Sequence, residues 1–444
     1  MSEKAHKIML PKELTGRPTS ARARDAKGIV IRNAEQVVTL SPDRGRPLRG
    51  AEMRELGIQT DASVLIAGGR IQRIGKYEDL MRGRSEREYE VIDAAGKIVM
   101  PGFVDPHTHL VFAGQRANEL SWKVEGASYL EIARRGGGIQ RTVRETRAAS
   151  ESDLIDQASG RLDQMLLNGT TTLEAKSGYG LTTDDEIKML TVAANLDERH
   201  PVDIVRTFLG AHAFPEEFAE DRDGYLSLLE EEMIPAAARE GLAEFCDVFC
   251  EEGYFTPEES KRILEKGQTF GLKSKIHADE FTCSGGARVA AEVGAITADH
   301  LLQTSEEDMM RMAESGVVAV LLPAVPLLSM EESFANARRM IELEIPVAIA
   351  SDLNPNCWVT SMQTVISLAC YKMRMTPEEA IAASTINAAY AVGRGEKMGS
   401  LDVGKVADVL VLDVPDYLHI PYMFDWNCVE IVIKNGEMIH KRES

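Results

Sequence analysis

Five side chains of this sequence are suited to holding or serving a cation, and they lie far apart along it. "PGFVDPHTHL" at 101–110 places His107 and His109 two apart, "KIHADE" carries His277, "AITADHL" carries His300 and "ASDLNP" carries Asp352. On a strand the i and i+2 side chains point the same way, so His107 and His109 face one side. Taken singly, each has a plainer reading. The pair suits a half-exposed strand face, His277 a satisfied buried histidine, and Asp352 a cap or turn residue ahead of Asn354-Pro355. Taken together, His107, His109, His277 and Asp352 offer three imidazoles and one carboxylate, a donor set for a borderline ion such as Zn²⁺ or Fe²⁺. An ion held that way, with a position left for water, makes a nucleophile near neutral pH.

Such a set needs elements that converge. Between about 101 and 395, short apolar strands ending in polar residues alternate with helical stretches such as "SDLIDQASGRLDQMLLNG" and "TPEESKRILEKGQTFG", each closed by Gly. Eight strand candidates occur: "IVMPGFVDPHTH", "TTTLEAKSG", "VDIVRTFLGAHA", "EFCDVFCEEG", "LKSKIHADE", "AITADHL", "VVAVLLPA" and "PVAIASDLNP". Eight β/α alternations predict an α/β fold, a (β/α)8 TIM-like barrel. His107 and His109 then end strand 1, His212 strand 3, His277 strand 5, His300 strand 6 and Asp352 strand 8, all on one face. Both ends of the chain read as β. "SVLIAGGRIQRIG" turns at Gly68-Gly69 and "VEIVIKNGEMIH" at Asn435-Gly436. Each piece alone is too short to bury a core, so the two predict one composite β-sandwich, 27–100 joined by 396–444. Residues 1–26 read as an extension, disordered or draped on a partner. "GGG" at 136–138 reads as a flexible loop at the barrel mouth, and His6, His200, His419 and His440 as surface residues.

The 444 residues are 44% hydrophobic, enough for a large core, and 50 basic against 70 acidic residues leave a net charge of −20. That balance argues against nucleic acid or an anionic membrane as partner. Six cysteines without a CxxC pair are no disulfide framework. No signal-peptide core and no long apolar run is present, and the expectation is a cytoplasmic protein.

The donor pattern of HxH, His, His and Asp on strands 1, 5, 6 and 8 resembles the metal pattern of the amidohydrolase superfamily. "PGFVDPHTHLVFAGQRANEL", "GGGIQRTVRETRAAS", "LEAKSGYGL", "FLGAHAFPEEF", "KIHADEF" and "DLNPN" resemble the imidazolonepropionase family within it, over about 95–440. There are departures. The chain reads "NCWVTS" after Pro355, where many members carry a small Gly-Ser/Thr-rich turn, and "AGQRANE" for the usual "GGSRENE". The resemblance implies hydrolysis of the cyclic amide of 4-imidazolone-5-propanoate to N-formimino-L-glutamate, with one divalent metal, Zn²⁺ or Fe²⁺/Fe³⁺, on His107, His109, His277 and Asp352. It implies Glu280, His300 and Asp352 as proton-handling residues, unranked. Arg116, Tyr129, Tyr179, His212, Glu280, Asn354 and Asn356 become substrate contacts, with Arg116 as the fork for the propanoate. A second metal at Cys250 and Glu251 is the less favoured variant. The family also implies a homodimer acting on a small molecule. The alternatives are a nucleobase or aromatic deaminase of the same superfamily, and a non-catalytic scaffold on the same fold.

Overall fold

The computed structural model describes residues 28–127 and 129–443, except the side chains of 129, 130 and 133. The extension at 1–26 lies outside the described residues. Eight parallel strands form the barrel: β1 Phe103–Asp105, β2 Thr170–Lys176, β3 Asp203–Ala211, β4 Phe245–Cys250, β5 Lys273–Ala278, β6 Thr297–His300, β7 Val318–Leu321 and β8 Val347–Ile349. They pair in that order from one edge to the other. The edges meet through a parallel bridge between Thr108 and Leu353, and Asp105 accepts from the Ser351 amide at 3.1 Å. The intervening helices start where the sequence says they should. Ser150 with Asp153 and Thr256 with Glu259 form capping boxes for Glu151–Leu167 and Pro257–Thr269.

The two β-rich ends build a separate two-sheet unit. One sheet holds Gly28–Ala34, Ala62–Ala67, Arg70–Gly75 and Tyr89–Asp93. The other joins Gln36–Val38, Ile58–Gln59 and Ile98–Pro101 to Val409–Leu412, Val429–Lys434 and Glu437–Lys441. Ile31, Val64, Val99, Val411 and Ile433 meet in one buried cluster. Neither half could close that cluster alone. The Asn435-Gly436 turn has φ of +53° and +78°, the left-handed pair that a tight hairpin needs.

One expected element is corrected. "IVMPGFVDPHTH" is two strands. Ile98–Pro101 belongs to the sandwich, Phe103–Asp105 to the barrel, and the break is Gly102. Its N–H donates to the Asp408 carbonyl on the sandwich side, while the Phe103 N–H donates to Gly169 on the barrel side. A Cβ on Gly102 would sit 2.2 Å from Thr171 Oγ1, so only glycine fits the crossing. His107 and His109 therefore lie beyond β1 rather than on it. The bridge from Thr108 to Leu353 keeps them extended.

Candidate active site at the barrel mouth

Three of the strand ends turn sharply. His300 has φ +75°, Asp279 +52° and Asp352 +51°, left-handed values that non-glycine residues adopt at a cost. The turns aim His300 and Asp352 into the mouth. Asp279 points away and caps the helix Gly286–Val293, its carboxylate accepting from the Gly285 and Gly286 amides at 2.9 and 3.0 Å.

The five residues singled out in the sequence come together there. His107 Nε2 and His109 Nε2 each lie 3.5 Å from Asp352 Oδ1. The His107 ring is 4.5 Å from that of His277 and 5.3 Å from that of His300. His107 Nε2, His277 Nε2 and Asp352 Oδ1 are all buried and make no hydrogen bond. Each such atom left alone costs about 1–3 kcal/mol. His107 belongs to two groups of donor atoms close enough to share a cation, one with His109 and Asp352 and one with His277 and His300, so the donors here fit a metal ion. Burial and the neighbouring positive charges hold His107, His109 and His300 well below the ordinary histidine range. They are neutral, as ligands and acceptors must be. Burial pushes the Asp352 carboxyl up to about 7 and the Glu280 carboxyl well above its usual value.

Beneath the imidazoles lies a buried ionic cluster that the sequence reading missed. Lys176 Nζ is 2.6 Å from Asp247, 3.0 Å from Glu174 and 3.4 Å from Asp299. Lys275 adds a second ammonium, 2.9 Å from Glu174. Two of these carboxylates reach up to the imidazoles. Asp299 Oδ2 is 2.6 Å from His107 Nδ1 and Asp247 Oδ2 is 3.1 Å from His277 Nδ1. At His107, a proton held on Nδ1 against Asp299 leaves the Nε2 lone pair facing the mouth, whereas His277 Nδ1 makes no hydrogen bond to Asp247. Burial pushes Asp299 up, and Lys176 and Lys275 oppose it. Burial alone would lower the Lys176 ammonium, yet Asp247, Glu174 and Asp299 together hold it above its ordinary value. One signal was legible: Glu174 and Lys176 stand two apart, facing one side of β2.

Above the ionic cluster, the imidazoles face a cavity of about 190 Å³ lined by His109, Arg116, Tyr179, His212, Glu280, His300, Asp352, Asn354 and Asn356. His212 stacks on His109 at 4.8 Å and its Nδ1–H donates to the Gly178 carbonyl at 3.0 Å. Burial drives its pKa down to about 3. Glu186 folds "SGYG" around Tyr179, accepting from the Gly178, Gly180 and Leu181 amides. Glu280 Oε1 lies 3.7 Å from His300 Nδ1. Arg116 is buried and forked onto Glu119, with Nε 3.0 Å from one carboxylate oxygen and 3.1 Å from the other. Glu119 also accepts from the Gly138 amide at 2.9 Å. "GGG" is thus no free loop, because Gly138 opens the helix Gly138–Ala148. Tyr129 begins the helix Tyr129–Arg134, and its side chain lies outside the described residues.

Other expectations shift. Asn354 lines the cavity, but its amide serves its own turn, donating to the Asp352 carbonyl and accepting from the Asn356 and Cys357 amides. Asn356 Oδ1 accepts from Lys123 Nζ at 2.6 Å, a cavity residue the sequence reading passed over. Cys250 and Glu251 join no ligand cluster among the described residues. Glu251 instead binds the Phe281 and Thr282 amides. His200 is buried, not superficial, and takes the Val202 amide at 3.1 Å. No helix among the described residues is long and apolar enough to cross a membrane.

Known proteins agree with this architecture. The amidohydrolase family matches twice, over residues 90–206 and 251–439. A solved adenosine deaminase from Xanthomonas campestris superposes with a TM-score of 0.66 at 18% identity, covering 92% of each chain. Guanine deaminase of E. coli gives 0.70 at 15%, over 94% of this chain and all of its own. Those likenesses establish the barrel and sandwich. Sequence relatives are nearer. An imidazolonepropionase of Geobacillus sp. is 50% identical, and one of Brevibacillus brevis 51%, each over 93% of this chain and 98% of the relative. With half of its residues shared over nearly the full length of both proteins, the chain belongs to the imidazolonepropionase family of amidohydrolases.

Proposed function

We propose that the protein hydrolyses the cyclic amide of 4-imidazolone-5-propanoate to N-formimino-L-glutamate, using one divalent ion, zinc or iron, on His107, His109, His277 and Asp352. The observation that carries the ligand assignment is the approach of His107 and His109 to within 3.5 Å of Asp352 Oδ1, with the His277 ring beside that of His107 and its Nε2 free of any hydrogen bond. When bound, the ion supplies Lewis acidity and a more acidic water. The protein's own groups do the rest. Water's oxygen bonds to the ring carbonyl carbon, the bond from that carbon to the ring nitrogen breaks, and one proton must travel from water to that nitrogen. Asp352, beside His107 and His109 at the cavity wall, takes the proton from water and passes it on to Glu280 once the ring has opened. Glu280 is held protonated by burial and delivers a proton to the leaving nitrogen. His300, neutral and beside Glu280, orients the pair and donates to the developing oxyanion. Tyr179 and His212 flank the ring, and Arg116 faces the propanoate.

The same reading includes a homodimer in a cytoplasmic setting, for which sedimentation velocity and fractionation are the measurements. Chelation followed by dialysis tests the metal. Ring opening should vanish, and return with one equivalent of zinc or ferrous iron per chain. Full activity in metal-free protein would refute the ligand assignment. The deaminase alternative predicts ammonia release from purines or pyrimidines without ring opening.

A further inference from the structure

The family assignment gives the propanoate to Arg116, but the charge at that wall does not add up to a cation. Arg116 is already forked onto the buried carboxylate of Glu119. The pair is neutral as a unit, so it offers an incoming anion direction and hydrogen bonds but little net charge. Lys123, one turn along the helix Glu119–Val124 from Glu119, lines the same cavity. Its Nζ donates to two neutral oxygens, Asn356 Oδ1 at 2.6 Å and the Leu328 carbonyl at 3.3 Å. No carboxylate among the described residues forms an ion pair with it. Burial, and then repulsion from Arg116, lower its pKa, with Glu119 opposing. A half-buried ammonium pressed toward another cation and anchored only on neutral acceptors is poised to gain an anion.

The geometry points to Lys123 as the residue that supplies the net positive charge for the substrate's carboxylate, held in place by Asn356. It is a specificity determinant: it favours an anionic tail over a neutral one of the same shape. It also gives the altered turn after Pro355 a task. The side-chain oxygen of Asn356, in that turn, fixes the lysine against the cavity.

The inference rests on the proposed reaction, so the test uses two substrates. Steady-state rates are measured for imidazolone-propanoate and for the propanamide analogue. Lys123→Met should raise KM for the propanoate about 10–100-fold, the range of a hydrogen bond to a charged group, with kcat within about threefold. KM for the propanamide should stay unchanged. Lys123→Arg should retain most of the preference, and Asn356→Ala, which keeps the charge but frees it, should lose part of it. If Lys123→Met does not fold, the Arg and Asn356→Ala proteins still read out the preference. An unchanged KM for the propanoate, or equal losses on both substrates, overturns the assignment. Failure of the unaltered protein to open the ring would instead refute the proposed function.

Discussion

Two buried lysines sit among carboxylates at opposite ends of the barrel. Lys176 ends β2 and contacts Asp247, Glu174 and Asp299 beneath the mouth. Lys434, on the sandwich strand Val429–Lys434, lies 2.7 Å from Asp203 at the start of β3 and 2.6 Å from Asp408. Both side chains are fully buried, and in both the carboxylates outweigh burial and raise the ammonium's pKa. What differs is what the carboxylates touch next. Around Lys434, Asp408 accepts the Asn435 amide and Lys434 ties a sandwich strand to a barrel strand. Around Lys176, Asp299 and Asp247 touch His107 and His277. The same ionic chemistry seals a seam at one end and sets imidazoles at the other. Position relative to the C-terminal ends of the strands decides which.

The largest separation between the two regions should come from removing one carboxylate in each. Asp352→Asn takes away a donor of the mouth cluster and the proposed proton acceptor. We expect metal content to fall well below one equivalent and kcat to drop on the order of 10⁴-fold. Asp408→Asn should leave kcat and metal content in place while lowering the denaturation midpoint. Equal activity losses in both would erase the distinction, and would be read directly from kcat beside metal analysis.

Glu280→Gln sharpens the mouth side, with an expected loss of about 10²–10⁴-fold in kcat. The sign of its pH dependence follows from burial. The Glu280 carboxyl is raised well above its usual value, so it stays protonated at pH values where an exposed glutamate has ionised. It donates only in that form. Therefore kcat/KM should fall as pH rises through the raised pKa, and the residual activity of Glu280→Gln should lack that descending limb. A Glu280→Gln profile with the same descending limb would assign the limb to another group.

The arrangement was legible in the sequence where it depends on local pattern. Eight apolar runs ending in polar residues gave the barrel, and Gly68-Gly69 and Asn435-Gly436 gave the hairpins. His107, His109, His277, His300 and Asp352 were readable because imidazole at a strand end is conspicuous. What stayed hidden depends on closure. Gly102 is one more glycine until Thr171 approaches it. Asp247, Asp299, Lys176 and Lys275 look like ordinary charges in short strands, and become one cluster only when β2, β4, β5 and β6 share an interior. Asn354 lines the cavity, and the hydrogen bonds its amide also makes within its own turn show only in the fold. Lys123 had no motif at all, and its meaning comes from Glu119 having already matched Arg116.

The finest cut through the comparison is the lysine pair itself. Lys176→Met and Lys434→Met each leave carboxylates buried without their cation, and each should cost about 3–5 kcal/mol in unfolding free energy. On stability alone the two are alike. They part in metal binding. Without Lys176, Asp299 and Asp247 lose the charge that holds them under His107 and His277, and the imidazoles lose their fixed orientation. Partners of that kind typically alter metal affinity by about 10–100-fold. Titration of the metal-free proteins with zinc should therefore show Lys176→Met weakened by that factor and Lys434→Met unchanged. Because the readout is affinity rather than turnover, a general loss of stability does not imitate it so long as both proteins are folded at the titration temperature. An unchanged zinc affinity in Lys176→Met would mean that the imidazoles are held by backbone and packing alone, and that the ionic cluster beneath them is structural at both ends of the barrel.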